Sequence, residues 1–241
     1  FHHFAHASAL TVERLDITRW LVLAWDGVGY GADGTLWGGE ALVGGPGCWR
    51  RAGSWRPFHL TGGDKAGREP WRSAAALCWA AGRAFPRDIE GIALAQAAWR
   101  KGFNAPATSA VGRLFDAAGC LALGRDLASF EGQGPMELEA AAAGEGPVAE
   151  TPLARDAEGV LRLDWTPLLD LLLRNDLKPA EKAAGFHASV ADAAARQVRA
   201  LAHEAEVEAV GLTGGVFQNR KLAERLAARL AQAGFAVVIH E

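Results

Sequence analysis

The chain has 241 residues and a formal net charge of −3; half of its residues are hydrophobic and 22% are charged. That length supports one large domain or two lobes, and nothing in the near-neutral balance points to nucleic acid as the main partner. No apolar run approaches the roughly 18 residues that span a bilayer, and Cys48, Cys78 and Cys120 are too widely spaced for a disulfide framework or a CxxC zinc site, which fits a reducing, cytoplasmic setting.

The sequence opens FHHFAHASA without a Met and reads as a piece of a longer protein. Residues 1–14 read as a helix. On a helix His2 and His6 share one face and can hold one metal ion; the same spacing also suits a solvated helix start. The run RWLVLAWDG (19–27) predicts a buried strand ending in a turn, and a second strand follows the DG signal at 33–34. Together they predict a hairpin over 20–43 with a glycine-rich loop. Asp26 at the strand end can hold a metal or orient water, or can simply form the turn before Gly27. Residues 56–72 read as a loop entering a helix near Pro70. The helical pattern continues to 143, with breaks at Pro86, at Gly102 and at 131–135, and 141–152 reads as a loop. A short strand is expected at 160–164, a helix at 165–177 and a long helix from about 186 to 205.

The last unit reads strand, glycine loop, helix, strand. EAVGL leads into Thr213-Gly214-Gly215, and Leu222, Leu226 and Leu230 recur every four residues on the helix that follows. Such a unit leaves backbone N–H groups where an anion can sit, and Asn219 can reach a ribose or base. A tight turn between strand and helix explains the same residues equally well.

The strings HHFAHASA, LAWDGVGYGADGTLWGGE, LTGGDKAGREPWR, TSAVGRLFDAAG, FEGQGPMELE, GFHASVADAAA and GLTGGVFQNR occur in this order. Together they resemble the C-terminal carbamoyltransferase part of the HypF family of hydrogenase maturation proteins. That part is similar to the TsaD-type proteins that make threonylcarbamoyl-adenosine in tRNA. The resemblance implies the α/β ATPase fold of sugar kinases, actin and heat-shock ATPases, with two lobes around a nucleotide cleft. The expected division places roughly 1–60 with 206–241 in one lobe and 61–205 in the other. By the same resemblance His2, His6 and Asp26 hold a divalent metal, iron(II) or zinc, and His3 is not a ligand. Gly27, Gly29 and Gly31 face phosphates, Gly112 and Asp116 approach the ribose, and Gly214, Gly215 and Asn219 form the nucleotide loop. Arg68, Glu69 and Arg72 match a loop specific to HypF, for which a structural Arg–Glu network and a substrate contact both remain open.

Two substitutions depart from the family pattern: Ala110 where a second Ser is common, and Trp25 for Leu, which is expected to add bulk beside the metal site. The family also has strands before the His motif and an Asp-Gly-Gly loop beyond Glu241, so an incomplete site is expected. The implied reaction moves a carbamoyl group from an ATP-derived carbamoyl-adenylate to the C-terminal cysteine of HypE, towards the cyanide ligands of nickel–iron hydrogenases. That chemistry needs no nucleophile from this chain. Competing readings are a tRNA-modifying transferase, whose binding would show a steep salt slope, and a non-catalytic module that docks HypE. A small-molecule kinase would need a base beside its acceptor hydroxyl, and none is evident.

Overall fold

The computed structural model describes residues 2–12 and 14–239; Phe1, Glu13, His240 and Glu241, which the sequence reading included in its terminal elements, lie outside the described residues. The chain runs α1 (His2–Thr11), β1 (Trp20–Tyr30), β2 (Leu36–Gly44), β3 (Arg50–Trp55), β4 (Phe58–His59), a 3-10 turn (Gly63–Gly67), α2 (Trp71–Ala80) and α3 (Ile92–Arg100). It continues through β5 (Ala107–Thr108), α4 (Val111–Leu123), α5 (Gln133–Ala141), β6 (Leu153–Arg155), β7 (Leu161–Leu163), α6 (Thr166–Leu173) and α7 (Pro179–Ala205). It closes with β8 (Ala209–Thr213), a second 3-10 turn (Gly215–Gln218), α8 (Arg220–Gln232) and β9 (Ala236–Ile239). No helix among the described residues is long and apolar enough to cross a membrane.

One nine-stranded sheet carries all of this, in the order β6-β7-β3-β2-β1-β8-β9, with β4 and β5 attached beside β2. β1 is central: it pairs antiparallel with β2 and parallel with β8. Its sequence shows why. WLVLAW is apolar on both faces, as a strand covered from both sides requires. Leu21, Leu23 and Trp25 join the large core under α2, α4, α6, α7 and α8, while Trp20, Val22 and Ala24 join a smaller core with Ala7 and Leu10 of α1. The sheet is unbroken across the two-lobe division read from the sequence, since β6 and β7 attach through β3.

The hairpin and the C-terminal β8–α8–β9 unit match the sequence reading, and Leu222, Leu226 and Leu230 are all buried. Each such leucine contributes about 1.5–3 kcal/mol on leaving water. Three features differ. Gly27 and Gly29 lie within β1, which overruns its pairing with β8 and bulges against β2 between Trp25 and Gly29, so they are not in a loop. Strands β3 and β6, which carry arginines, are not expected from the sequence, nor are the short β4, in the stretch read as a loop, and β5, in the stretch read as helical. The long helix begins at Pro179, not near 186: proline takes the first helical position, and the Glu181 carboxylate accepts the Lys178 N–H at 2.7 Å. Gly185 lies inside this helix, just before the start expected from the sequence. In the fold it is a packing point, where an added Cβ would lie 2.5 Å from the Pro147 carbonyl oxygen.

A buried carboxylate ties β2 to β3 and to the start of α4. Glu40 accepts the Gly38 and Gly39 N–H groups at 2.5 and 2.7 Å, Arg51 at 2.8 Å and the Ser109 hydroxyl at 2.6 Å. Removing Glu40 from so enclosed a network leaves Arg51 with Asp33 as its one remaining carboxylate and strips the Gly38 and Gly39 N–H groups and the Ser109 hydroxyl of their acceptor. Glu40→Ala is therefore expected to lose about 3–5 kcal/mol in urea denaturation, whereas Glu224→Ala, at an exposed pair with Arg220, stays within about 0.5 kcal/mol. Equal losses would show that Glu40 does not organise this junction.

Candidate active site

Helical spacing brings His2 and His6 side by side, with their Nε2 atoms 3.2 Å apart. Both Nε2 atoms lie 3.3 Å from Asp26 Oδ2. The centre of that triangle is about 1.9 Å from each donor, close to the roughly 2.0–2.2 Å at which such donors hold a zinc-sized cation. Asp26 is placed for this by the sheet. It continues the face of Trp20, Val22 and Ala24, which α1 covers, two residues beyond the last pairing of β1 with β8 at Ala24↔Thr213. Its Oδ1 accepts the Gly215 N–H at 2.6 Å, while Oδ2 is buried without a hydrogen-bond partner. A buried, unpartnered carboxylate oxygen facing two imidazoles is a donor set for a divalent cation, and two His with one carboxylate suit zinc or iron(II). His2, His6 and Asp26 thus converge.

His3 is fully buried over Gly29, where an added Cβ would meet its ring at 2.5 Å. Its Nε2 is 3.8 Å from Asp26, and burial lowers its pKa against the opposing charges of Glu40 and Asp26. Trp25 corrects the sequence expectation. Its indole lies on the opposite face of β1 from Asp26, stacked 5.2 Å from Phe217, and adds no bulk at the His–Asp triangle.

A cleft of about 340 Å³ opens beside Asp26. Gly27 and the first turn of α4 form its floor. The two backbones touch: a Cβ on Gly112 would lie 2.7 Å from the Gly27 Cα. Gly215, Val216, Gln218 and Asn219 form one wall, and Glu131 with the Gly132, Met136 and Glu139 face of α5 forms the other. Of the residues singled out in the sequence, Asp26, Gly27, Gly112, Asp116, Gly215 and Asn219 meet here. Gly29, Gly31 and Gly214 do not line the cleft. Gly29 lies beneath His3, Gly31 against the Trp37 indole, and Gly214 turns the chain at φ +99° against the Trp25 backbone. Arg113, Glu131, Met136, Glu139 and Gln218 were missed. The i, i+4, i+7 spacing of Gly132, Met136 and Glu139 within FEGQGPMELE was the available signal.

Asn219 has a structural duty as well. Its Oδ1 accepts the Leu222 N–H and caps α8, and its Nδ2 donates to His187 Nε2 at 3.0 Å. Glu69 and Arg72 pair with each other at 2.6 Å, and Arg72 lies over the Trp71 ring. Arg68 is exposed beside them. Arg113 bridges Asp116 and Glu131, at 3.1 Å each. Burial pushes the Asp116 carboxyl up to about 6, against the opposing effect of Arg113. A raised folded-state pKa means that the native state binds this proton more tightly than the unfolded chain. Asp116 therefore favours folding at low pH and loses that contribution as pH rises from about 4 through 6. Asp116→Asn is expected to gain about 1–3 kcal/mol relative to the parent between pH 4 and pH 7. A pH-independent difference in denaturation midpoints would refute this.

Comparison with known proteins bears on the same surfaces. Residues 22–241 match the family described as "Carbamoyltransferase, Kae1-like Domain, second subdomain". A carbamoyltransferase HypF of Rhodobacter capsulatus is 42% identical over 97% of this chain and 32% of its own length. A probable carbamoyltransferase HypF of Methanocaldococcus jannaschii is 29% identical over the whole chain and 32% of its own length. A crystal structure of full-length HypF in a phosphate- and nucleotide-bound form superposes with a TM-score of 0.91 at 26% identity, over 99% of this chain and 32% of that one. The chain thus spans about a third of the length of these relatives. On these matches, this chain belongs to the Kae1-like carbamoyltransferase domain family of HypF proteins.

Proposed function

We propose that the cleft binds an adenylate and that this domain passes its carbamoyl group to a cysteine thiolate on a partner, HypE in the hydrogenase maturation reading. The carrying observation is Asp26, whose two oxygens join the His pair to the Gly215 turn at the cleft's edge. The relatives' names support the group transferred, and the nucleotide and phosphate held by the full-length neighbour support the adenylate.

The thiolate attacks the carbamoyl carbon of the mixed anhydride. A C–S bond forms, the C–O bond to phosphate breaks, and AMP leaves with the electron pair. AMP is a good leaving group, so the chain's work is holding, polarising and excluding water. The first turn of α4 presents its positive end at Gly112, where an anion is favoured. Arg113 adds a fixed positive charge, and Phe115 and Met136 supply apolar lining. A divalent cation, iron(II) or zinc, held by His2, His6 and Asp26 would supply Lewis acidity. The attacking sulfur is foreign to this chain. Cys48 is exposed away from the cleft, and Cys78 and Cys120 are buried, with burial pushing the Cys78 thiol up to about 11 and that of Cys120 higher.

The double substitution His2→Ala/His6→Ala is expected to remove bound divalent metal, measured by elemental analysis after dialysis. It should also lower carbamoyl transfer about a hundredfold or more in the longer protein that carries this domain. Retention of metal at parental stoichiometry would overturn the ligand assignment.

A further inference from the structure

Arg113 lies in the first turn of α4, 7% exposed, with its two terminal nitrogens on two different carboxylates. The partners are unlike. Asp116 is buried beneath it, whereas the Glu131 side chain is 67% exposed and sits on the turn before α5, at the cleft's edge. Glu131 makes no other side-chain hydrogen bond or ion pair among the described residues. The pair is held between two glycines. A Cβ at Gly27 would come 2.8 Å from Arg113 Nη2, and one at Gly67 would come 3.3 Å from Nη1 and 3.4 Å from Glu131 Oε1. Arg113 Nε is buried and unpartnered. The guanidinium is therefore fixed in place, with one seat taken by a carboxylate that cannot leave and the other by one that can.

We infer that Arg113 is the anion-reading residue of the cleft and that Glu131 is its built-in competitor, displaced into solvent when a ligand phosphate takes its seat on Nη2. The inference rests on the nucleotide reading of the cleft and adds a means of regulating it. Energies favour the exchange. A half-exposed ion pair contributes about 0.2–1 kcal/mol, which a charge-assisted bond from Nη2 to a doubly charged phosphate outweighs. Glu131 left in place would also repel the incoming phosphate across the short span above Gly27. A purely structural clamp, with Glu131 pinning the Gly63–Gly67 turn through Arg113, predicts the opposite response to neutralising Glu131.

Calorimetric titration of the full chain with AMP and with adenosine distinguishes these. Glu131→Gln is expected to bind AMP about two- to fivefold more tightly and adenosine with unchanged affinity. Arg113→Met should weaken AMP about tenfold or more while sparing adenosine, and in the double variant the gain from Glu131→Gln should vanish. Glu131 is exposed, so its variant tests the inference even if the buried Arg113 substitution fails to fold. Unchanged or weaker AMP binding by Glu131→Gln, with the parent binding normally, overturns this inference alone. A parent chain that binds neither AMP nor adenosine overturns the nucleotide reading along with it.

Discussion

Asp26 is the point at which three distant stretches of chain meet, and each of its oxygens holds a different one. Oδ1 fixes the Gly215 N–H, 189 residues away in sequence, and with it the turn between β8 and α8. Oδ2 faces the imidazoles of α1. The placement follows from strand length. β8 stops pairing at Ala24, so β1 runs two residues further to its first carboxylate, past β8 but still beside β2 and under α1. A buried oxygen left without a partner costs about 1–3 kcal/mol. Such a cost at the focus of a cleft fits a site shaped for something other than stability.

The rest of the site inherits its rigidity from the same stretch of β1. Gly27 and Gly112 bring β1 and α4 into backbone contact, and the Glu40 network clamps the residues just before α4 to β2 and β3. Ser109 belongs to that network, so the absence of a second hydroxyl at Ala110 removes nothing from the cleft. There an added Cβ on Gly38 would already come within 2.7 Å of the Ala110 side chain. The His–Asp triangle and the cleft thus share one stiff floor, with the Gly215 turn and α5 as walls.

Much of this was legible in the sequence where a periodic pattern coincided with burial. The central hairpin, the terminal β–α–β unit and the i, i+4 histidines follow from local spacing. What escaped depended on contacts between residues far apart. Strand β3 reads as RRAGSW because Arg51 is neutralised by Glu40 and Asp33, which composition alone does not reveal. Trp25 seemed to crowd Asp26 because the two are adjacent, yet strand alternation sends them to opposite faces. Gly29 and Gly31 looked like phosphate-loop glycines, but each makes room for an aromatic ring. Arg113 and Glu131 lie in strings that carried the family resemblance, but their pairing is a tertiary event.

The electrostatics of the cleft impose a further condition. Asp26, Asp116, Glu131 and Glu139 all line it, against the single guanidinium of Arg113. A phosphate-bearing ligand entering that field would be repelled if nothing else changed. The charge of Asp116 is offset by Arg113, which sits against it at 3.1 Å. Glu139 is partly satisfied by the Lys221 N–H. The remaining excess sits on Asp26, whose free oxygen points at the His pair. A divalent cation there would more than offset the charge of Asp26 and weaken the repulsion of an anion in the cleft. Cation and adenylate would then bind cooperatively, each raising the other's affinity by the same factor. On that argument the His–Asp triangle and the cleft are one electrostatic unit, and Asp26 is the residue they share.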